Sequence, residues 1–129
     1  MIVSLHVATG AALGVLGGSR TRALLLGPPA QLLGDRIPHQ DIASRRFEIG
    51  SGVALLALLA ARRGPLDRAT IGGFAAAAPD LEHVFRALRP GGRKLFHGRL
   101  GWHRAGNFPA AAQLLLAGAI VGYLLGPRK

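Results

Sequence analysis

Apolar segments alternate with short polar or basic stretches along the whole chain. Five apolar segments cover residues 2–18, 23–34, 47–61, 69–78 and 107–126. Basic residues follow three of them: Arg20 and Arg22, Arg62 and Arg63, and Arg128 and Lys129. Apolar runs of this length that end in basic residues predict helices. The pattern therefore predicts an all-α fold of about five short helices, which form a single domain over residues 1–129.

The composition of these segments favours helices that pack within a membrane. Half of the chain is apolar, but only 5% of it is aromatic, and there are 19 glycines. Small side chains allow the backbones of membrane helices to approach closely. We therefore predict a polytopic, membrane-embedded bundle. Only the first and last segments approach the roughly 20 residues that one crossing requires. A soluble, Ala-rich helical bundle is the alternative.

The net charge narrows the classes of partner. Sixteen Lys and Arg residues against six acids give a formal charge of +10. Such an excess can indicate a nucleic-acid ligand, but here the basic residues lie in short clusters between apolar runs, with few aromatic rings to stack on bases. Anionic lipid headgroups explain the pattern better. We predict the lipid bilayer and other membrane subunits as partners, and no nucleic acid. The absence of Cys excludes disulfides and thiolate ligands.

The direction of successive helices predicts where the polar residues meet. If all five segments cross the membrane, the second and fourth segments end on the same face at which the first, third and fifth begin. His6 and residues 35–41, 80–83 and 97–103 then share that face. Ionisable residues at such depth are costly and indicate a functional site.

Candidate chemistry is concentrated between residues 78 and 104. This region contains two acids and three of the five histidines: Asp80, Glu82, His83, His97 and His103. A helical turn after Pro79 would place Asp80 and His83 on one face. A carboxylate beside an imidazole suits a divalent ion such as Zn²⁺, Mn²⁺ or Mg²⁺. A Gly-rich turn could fold His97 and His103 toward one point. The competing interpretation is a charge pattern at a helix start, with solvated loop histidines.

This layout resembles the small bacterial inner-membrane proteins described as membrane-bound, metal-dependent hydrolases of the YdjM type. Those proteins look like short helical bundles with an early histidine, a P-D-x-[DE]-H motif after a small-residue helix, and an H-R-x-x-T-H-S motif before a final apolar helix. Here His6 is similar to the first feature, residues 79–83 to the second, and residues 97–103 more loosely to the third. The resemblance covers most of the chain and implies a multi-pass location in the bacterial inner membrane.

The resemblance implies metal-assisted hydrolysis of an anionic, phospholipid-like substrate at the membrane surface. The bound ion would lower the pKa of a water molecule and polarise the scissile group. The implied metal ligands are His6, Asp80, His83, His97 and His103. Glu82 or Asp41 would accept the proton of the water molecule.

The same resemblance gives the basic loop a role in holding the anion. The candidate substrate-binding residues are Arg86, Arg93 and Arg99, together with Arg89 and Lys94. Lipid-headgroup anchoring is the competing role for this loop. A non-catalytic accessory subunit of a larger bacterial membrane complex is the competing function for the whole chain.

Overall fold

The computed structural model describes residues 1–127 and is mostly helical. Five α-helices lie in this range: α1 Val3–Leu16, α2 Arg20–Arg36, α3 Arg45–Arg63, α4 Arg68–Ala77 and α5 Ala110–Leu125. Residues 1–127 contain no β-strand, so the prediction of an all-α fold is confirmed. Each predicted apolar segment contains most of one helix. Arg128 and Lys129, which were predicted to follow the last segment, lie outside the described residues.

Side-chain caps determine where three of the helices begin. Ser19 accepts a hydrogen bond from the backbone N–H of Arg22 at the start of α2, and Ser44 accepts one from Phe47 at the start of α3. Asp67 accepts a hydrogen bond from the backbone N–H of Ala69 at the start of α4. Such caps satisfy backbone donors that have no partner inside the helix. Because of them, α2 and α3 begin at arginines that precede the apolar runs.

Helix α1 lies at the centre of the fold and packs against the other four helices. It crosses α4 at glycines: a Cβ atom on Gly10 would clash with the carbonyl oxygen of Gly72, and one on Gly14 would clash with that of Arg68. The core around α1 combines small and branched side chains: Ile2, Leu5, Val7, Ala8, Ala11, Leu59, Ala69, Ala117 and Val121. The many small residues therefore bring helix backbones close together.

The predicted membrane crossings are wrong. No helix within residues 1–127 is both long enough and apolar enough to span a bilayer. Helix α4 has 10 residues, α1 has 14 and α5 has 16, whereas one crossing needs about 20 apolar residues. Helix α3 reaches 19 residues only by including four arginines and a glutamate. This finding contradicts the five-crossing bundle and the multi-pass inner-membrane location.

The segment between α4 and α5 is built from short turns rather than from a long helix. It contains 3₁₀ turns at Ala78–His83, Arg86–Leu88 and Pro90–Gly92, and a π turn at Leu95–Arg99. Gln113 of α5 ties this end of the molecule together. Its buried side chain accepts a hydrogen bond from the backbone N–H of Ile2 at 3.0 Å and donates to the carbonyl oxygens of Gln40 at 2.8 Å and Phe108 at 3.1 Å. The start of α1, the loop after α2 and the start of α5 are thereby held side by side.

Candidate functional site

Five polar side chains from four parts of the chain meet at this end of the bundle. We call them the primary cluster: His6 of α1, Asp35 of α2, Asp80 and His83 of the first 3₁₀ turn, and His97 of the π turn. His6 Nε2 lies 2.8 Å from Asp35 Oδ1, and His97 Nε2 lies 3.0 Å from Asp35 Oδ2 and 3.2 Å from Asp80 Oδ1. Asp35 is 1% exposed and His6 is fully buried. The cluster is therefore largely removed from solvent.

The 3₁₀ turn explains how Asp80 and His83 come to face the same way. Residues three apart are eclipsed in a 3₁₀ helix, and here Asp80 Oδ1 lies 4.0 Å from His83 Nε2. The ring of His83 also packs against that of His97, with centroids 4.3 Å apart. Lys94 Nζ donates to His83 Nδ1 at 2.8 Å. Burial, together with the charges of His97 and Lys94, lowers the pKa of His83 to about 4, so His83 is neutral at pH 7.

Glu82 anchors the loop that carries residues 95–97. Its buried carboxylate accepts hydrogen bonds from the backbone N–H groups of Leu95 at 2.6 Å, Phe96 at 3.1 Å and His97 at 2.8 Å. It also accepts a hydrogen bond from His97 Nδ1 at 2.9 Å. Although burial raises the pKa of Glu82, these donors lower it below its ordinary value. A carboxylate with both oxygens so occupied suits the positioning of the loop better than the acceptance of a proton, and the general-base role of Glu82 stays a prediction.

The cluster places several carboxylates around one imidazole. Burial lowers the pKa of His97, but its hydrogen bonds to Asp35, Asp80 and Glu82 raise it more strongly, to about 10. Burial likewise raises the pKa of Asp35, but hydrogen bonds from His6 and His97 bring it well below its usual range. The metal-free cluster at neutral pH therefore contains ionised carboxylates around an imidazolium.

The donor set of the primary cluster fits a divalent cation. The ligand atoms of Asp80, His83 and His97 lie within 4.8 Å of one another, as do those of His6, Asp35 and Asp80. Asp80 Oδ2 and His6 Nδ1 are buried and have no hydrogen-bond partner among residues 1–127. A histidine that ligates a metal usually donates its other N–H to a carboxylate or a carbonyl group. His97 shows this arrangement, because its Nδ1 faces Glu82 while its Nε2 faces Asp35 and Asp80.

His103 lies apart from the other predicted metal ligands. It forms a second cluster with His39 and Asp41: His103 Nε2 lies 3.5 Å from Asp41 Oδ2, and His39 Nε2 lies 3.3 Å from Asp41 Oδ1. The amino group of Met1 lies between the two clusters, 2.6 Å from Asp35 Oδ1 and in contact with the ring nitrogens of His39. The structure thus brings His6, Asp80, His83 and His97 together and assigns His103 and Asp41 to a neighbouring group.

Most members of both clusters, but not His6 or His39, line one cavity of about 700 Å³. Side chains of the primary cluster and of the second cluster lie at its polar end, with the basic residues Arg45 and Lys94. Apolar side chains of α1, α3 and α4 form much of the remaining wall: Val3, Val7, Ile49, Val53, Leu56 and Phe74. Val53, Leu56 and Phe74 also line a second, apolar cavity of about 600 Å³. A polar end next to an extended apolar wall suits an amphiphilic ligand.

The predicted substrate-binding arginines are not placed at this cavity. Arg86, Arg93 and Arg99 are exposed and are not among the residues that line it. Arg99 Nη2 donates to the carbonyl oxygen of Pro90 at 3.0 Å, which stabilises the loop itself. These three arginines therefore lie outside the cavity, and the substrate-binding role predicted for them stays a prediction. Lys94 is the residue of the predicted basic set that lines the cavity.

Two acidic residues at the site were not predicted from the sequence. Asp35 is the central carboxylate of the primary cluster, and Glu48 of α3 lines the cavity. Burial raises the pKa of Glu48, and the nearby charges of Asp41 and Asp80 raise it further. The alternating direction of the helices predicts residues 35–41 at this end, so the position of Asp35 was the available signal. Glu48 follows two arginines at a helix start, and nothing in that pattern distinguishes it from a surface residue.

Comparison with known proteins does not identify the chain. No family model, curated protein or solved structure matches it. The resemblance to the YdjM-type hydrolases, and with it the predicted metal binding and hydrolase activity, gains no support from these comparisons and stays a prediction.

Proposed function

We propose that this chain is a hydrolase that depends on a divalent metal ion at the primary cluster and acts on an anionic phosphate ester with an apolar portion. The observation that supports this most is the convergence of two carboxylates on one imidazole nitrogen. Asp35 Oδ2 lies 3.0 Å and Asp80 Oδ1 lies 3.2 Å from His97 Nε2. When bound, the ion would lower the pKa of a water molecule and polarise a substrate oxygen.

The surrounding residues would prepare this cluster for the ion. Glu82 accepts a hydrogen bond from the Nδ1–H of His97, which leaves His97 Nε2 directed at Asp35 and Asp80. Burial lowers the pKa of His83 to about 4, so its ring is neutral at pH 7 and could ligate a metal through Nδ1 once the hydrogen bond from Lys94 is broken. Asp35, Asp80 and His97 would be the principal ligands, with His83 and His6 completing the set.

Glu48 is the proton acceptor that we assign to this site. It lines the same cavity as the primary cluster, and burial raises its pKa above the ordinary value for glutamate. A base whose pKa is raised toward the working pH is better suited to proton transfer. This assignment replaces Glu82, which is occupied by loop donors. It also replaces Asp41, which belongs to the second cluster.

The cavity suggests the class of substrate. Lys94 and Arg45 supply positive charge at the polar end, which favours a phosphate group over a neutral one. The apolar wall formed by α3 and α4 would then cover an alkyl chain attached to that phosphate. Burial of each methylene group contributes about 0.8 kcal/mol, so chain length should affect KM strongly.

Phosphate release from alkyl phosphates of two and twelve carbons tests the proposal. The full chain is stripped with a chelator and reloaded with Zn²⁺, Mn²⁺ or Mg²⁺ in separate samples. We expect activity only in a metal-loaded sample, a lower KM for the longer ester, and loss of activity in Asp80→Asn and His97→Gln. Lys94→Gln should raise KM, whereas Arg99→Gln, an exposed basic control, should not. Wild-type protein that binds none of the three ions, or full activity in Asp80→Asn, would refute the proposal.

One observation favours a non-catalytic subunit as the second candidate. Several large apolar side chains are exposed, among them Leu16 at 80%, Leu115 at 76% and Tyr123 at 87%. Exposed apolar surface often marks a protein interaction site. A subunit would keep its fold and its partner after Asp80→Asn, and its wild-type form would release no phosphate in the assay above.

A further inference from the structure

The second cluster has the composition and geometry of a cation site in its own right. The ligand atoms of His39, Asp41 and His103 lie within 4.8 Å of one another. The two imidazole rings meet edge to face, with centroids 4.9 Å apart. Each oxygen of Asp41 faces one of them, Oδ1 toward His39 at 3.3 Å and Oδ2 toward His103 at 3.5 Å. Two imidazole nitrogens and a carboxylate oxygen form a donor set typical of zinc sites.

Backbone hydrogen bonds connect the two segments that carry these residues. The N–H of His39 donates to the carbonyl oxygen of Arg104 at 3.2 Å, and the N–H of Gly106 donates to that of His39 at 2.9 Å. The N–H of Gln40 donates to the carbonyl oxygen of Phe108 at 2.9 Å. These bonds join residues about 65 positions apart in sequence, as the two isolated bridges of His39 to Ala105 and Phe108 also show. The cluster is therefore built into the fold and does not depend on a chance meeting of loop side chains.

The ring of His39 is oriented as in a metal ligand. Its Nδ1 donates to the carbonyl oxygen of Ile37 at 2.6 Å, which leaves Nε2 directed at Asp41. A backbone acceptor on the other ring nitrogen is the usual support of a metal-bound histidine. His39 is 1% exposed, and burial lowers its pKa, which favours the neutral form. The side chains of Asp41 and His103 are 55% and 37% exposed, so the opposite side of the cluster is open to solvent.

We propose that His39, Asp41 and His103 bind a second divalent cation, most favourably Zn²⁺, next to the ion of the primary cluster. Three protein ligands with an open side are the pattern of a zinc site that keeps a position for water or substrate. The ion would replace the amino group of Met1 as the partner of His39 Nε2. Binding at this cluster does not depend on the proposed hydrolase activity. A catalytic role for this second ion, which would face the same cavity, rests on the proposed hydrolase function.

Metal stoichiometry of the full chain tests this site. Chelator-stripped protein is equilibrated with Zn²⁺, passed through a desalting column and analysed for zinc and protein. We expect two zinc ions per chain in the wild type and one in His103→Ala and in Asp41→Asn. These residues are exposed enough to be changed without loss of the fold, which circular dichroism checks. Arg104→Gln, an exposed neighbour of His103, is the control and should retain two ions.

The primary cluster is tested in the same experiment. Asp80→Asn and His97→Gln should also bind one ion, and combining Asp80→Asn with His103→Ala should leave none. Replacement of Zn²⁺ by Co²⁺ adds a spectroscopic measurement, since His103→Ala should remove one component of the visible absorption and Asp80→Asn the other. If the wild type binds only one ion and His103→Ala still binds it, the second site is refuted and the proposed function is left intact. If the wild type binds only one ion, and that ion is retained in Asp80→Asn but lost in His103→Ala, the second site is supported and the proposed function is refuted.

Discussion

The replacement Glu82→Gln separates a positioning role from a catalytic one. The Glu82 carboxylate accepts two hydrogen bonds at Oε2, from the backbone N–H groups of Leu95 and Phe96. It accepts two more at Oε1, from the backbone N–H and the Nδ1 of His97. A glutamine side chain has nearly the same shape but presents an N–H₂ group in place of one oxygen. Whichever way the amide is oriented, two of the four donors then face another donor.

The expected loss of stability and metal affinity in Glu82→Gln follows from these four hydrogen bonds. An unsatisfied buried donor costs about 1–3 kcal/mol, and the bonds to a charged acceptor are stronger than neutral ones. Relaxation of the loop at residues 95–99 would recover part of the loss. We expect the free energy of unfolding to fall by about 2–4 kcal/mol. We also expect the affinity for a divalent ion to fall about 10- to 100-fold, as is usual when the outer partner of a ligating histidine is removed.

Urea denaturation of the metal-free protein and metal titration measure these two effects. Asp41→Asn serves as the stability control, because its side chain is 55% exposed and surface ion pairs contribute about 0–1 kcal/mol. If Glu82→Gln keeps wild-type stability and metal affinity but loses phosphate release, Glu82 is the general base after all. That result would refute the positioning role drawn from its hydrogen bonds.

Three further predictions test other parts of the structure. Gly72→Ala should lower the thermal unfolding midpoint, because the added Cβ would clash with the carbonyl oxygen of Gly10. Gly118→Ala is the control: its Cβ would have no atom of another described segment within 4 Å, so the midpoint should stay the same or rise. Burial lowers the pKa of His97, but three carboxylates raise it more strongly, from 6.5 to about 10. The contribution of His97 to the stability of the metal-free protein should therefore be complete below pH 6.5 and disappear as the pH rises toward 10. Urea midpoints measured across this pH range should show that fall in the wild type and not in His97→Gln. Lys94→Gln should tighten metal binding, because it removes a positive charge that lies 2.8 Å from His83 Nδ1 and would repel the ion. A weaker affinity in the metal titration would contradict this reason.

The sequence predicted the helices well because their apolar runs are separated by clear polar breaks. The ends were less accurate: α2 and α3 extend into flanking arginines, where Ser19 and Ser44 cap the first turn. The membrane prediction failed for a different reason. It inferred lipid surroundings from small apolar residues, whereas Gly10 and Gly72 are small because α1 and α4 cross in close contact. Composition alone does not distinguish these two causes.

The meeting of the polar residues at one end does not require a bilayer. In any bundle whose successive helices alternate in direction, even-numbered helices end where odd-numbered helices begin. The alternation of helix direction therefore places His6 and Asp80 at the same end, although no helix within residues 1–127 could span a bilayer. It could not resolve which residues pair within that end. His103 was grouped with Asp80, although backbone bonds between residues 39 and 104–108 place it beside His39.

The charge balance around His97 explains why a proton would compete with the proposed metal ion there. Asp35, Asp80 and Glu82 surround His97, and such a concentration of carboxylates is stable when buried only if positive charge compensates it. In the metal-free chain the imidazolium of His97 provides that charge, which is why its pKa is raised to about 10. A divalent ion would take over this role at His97 Nε2 and displace one proton, while the Nδ1 proton stays with Glu82. The same buried carboxylates therefore stabilise the metal-free fold through a proton and would favour the ion that replaces it.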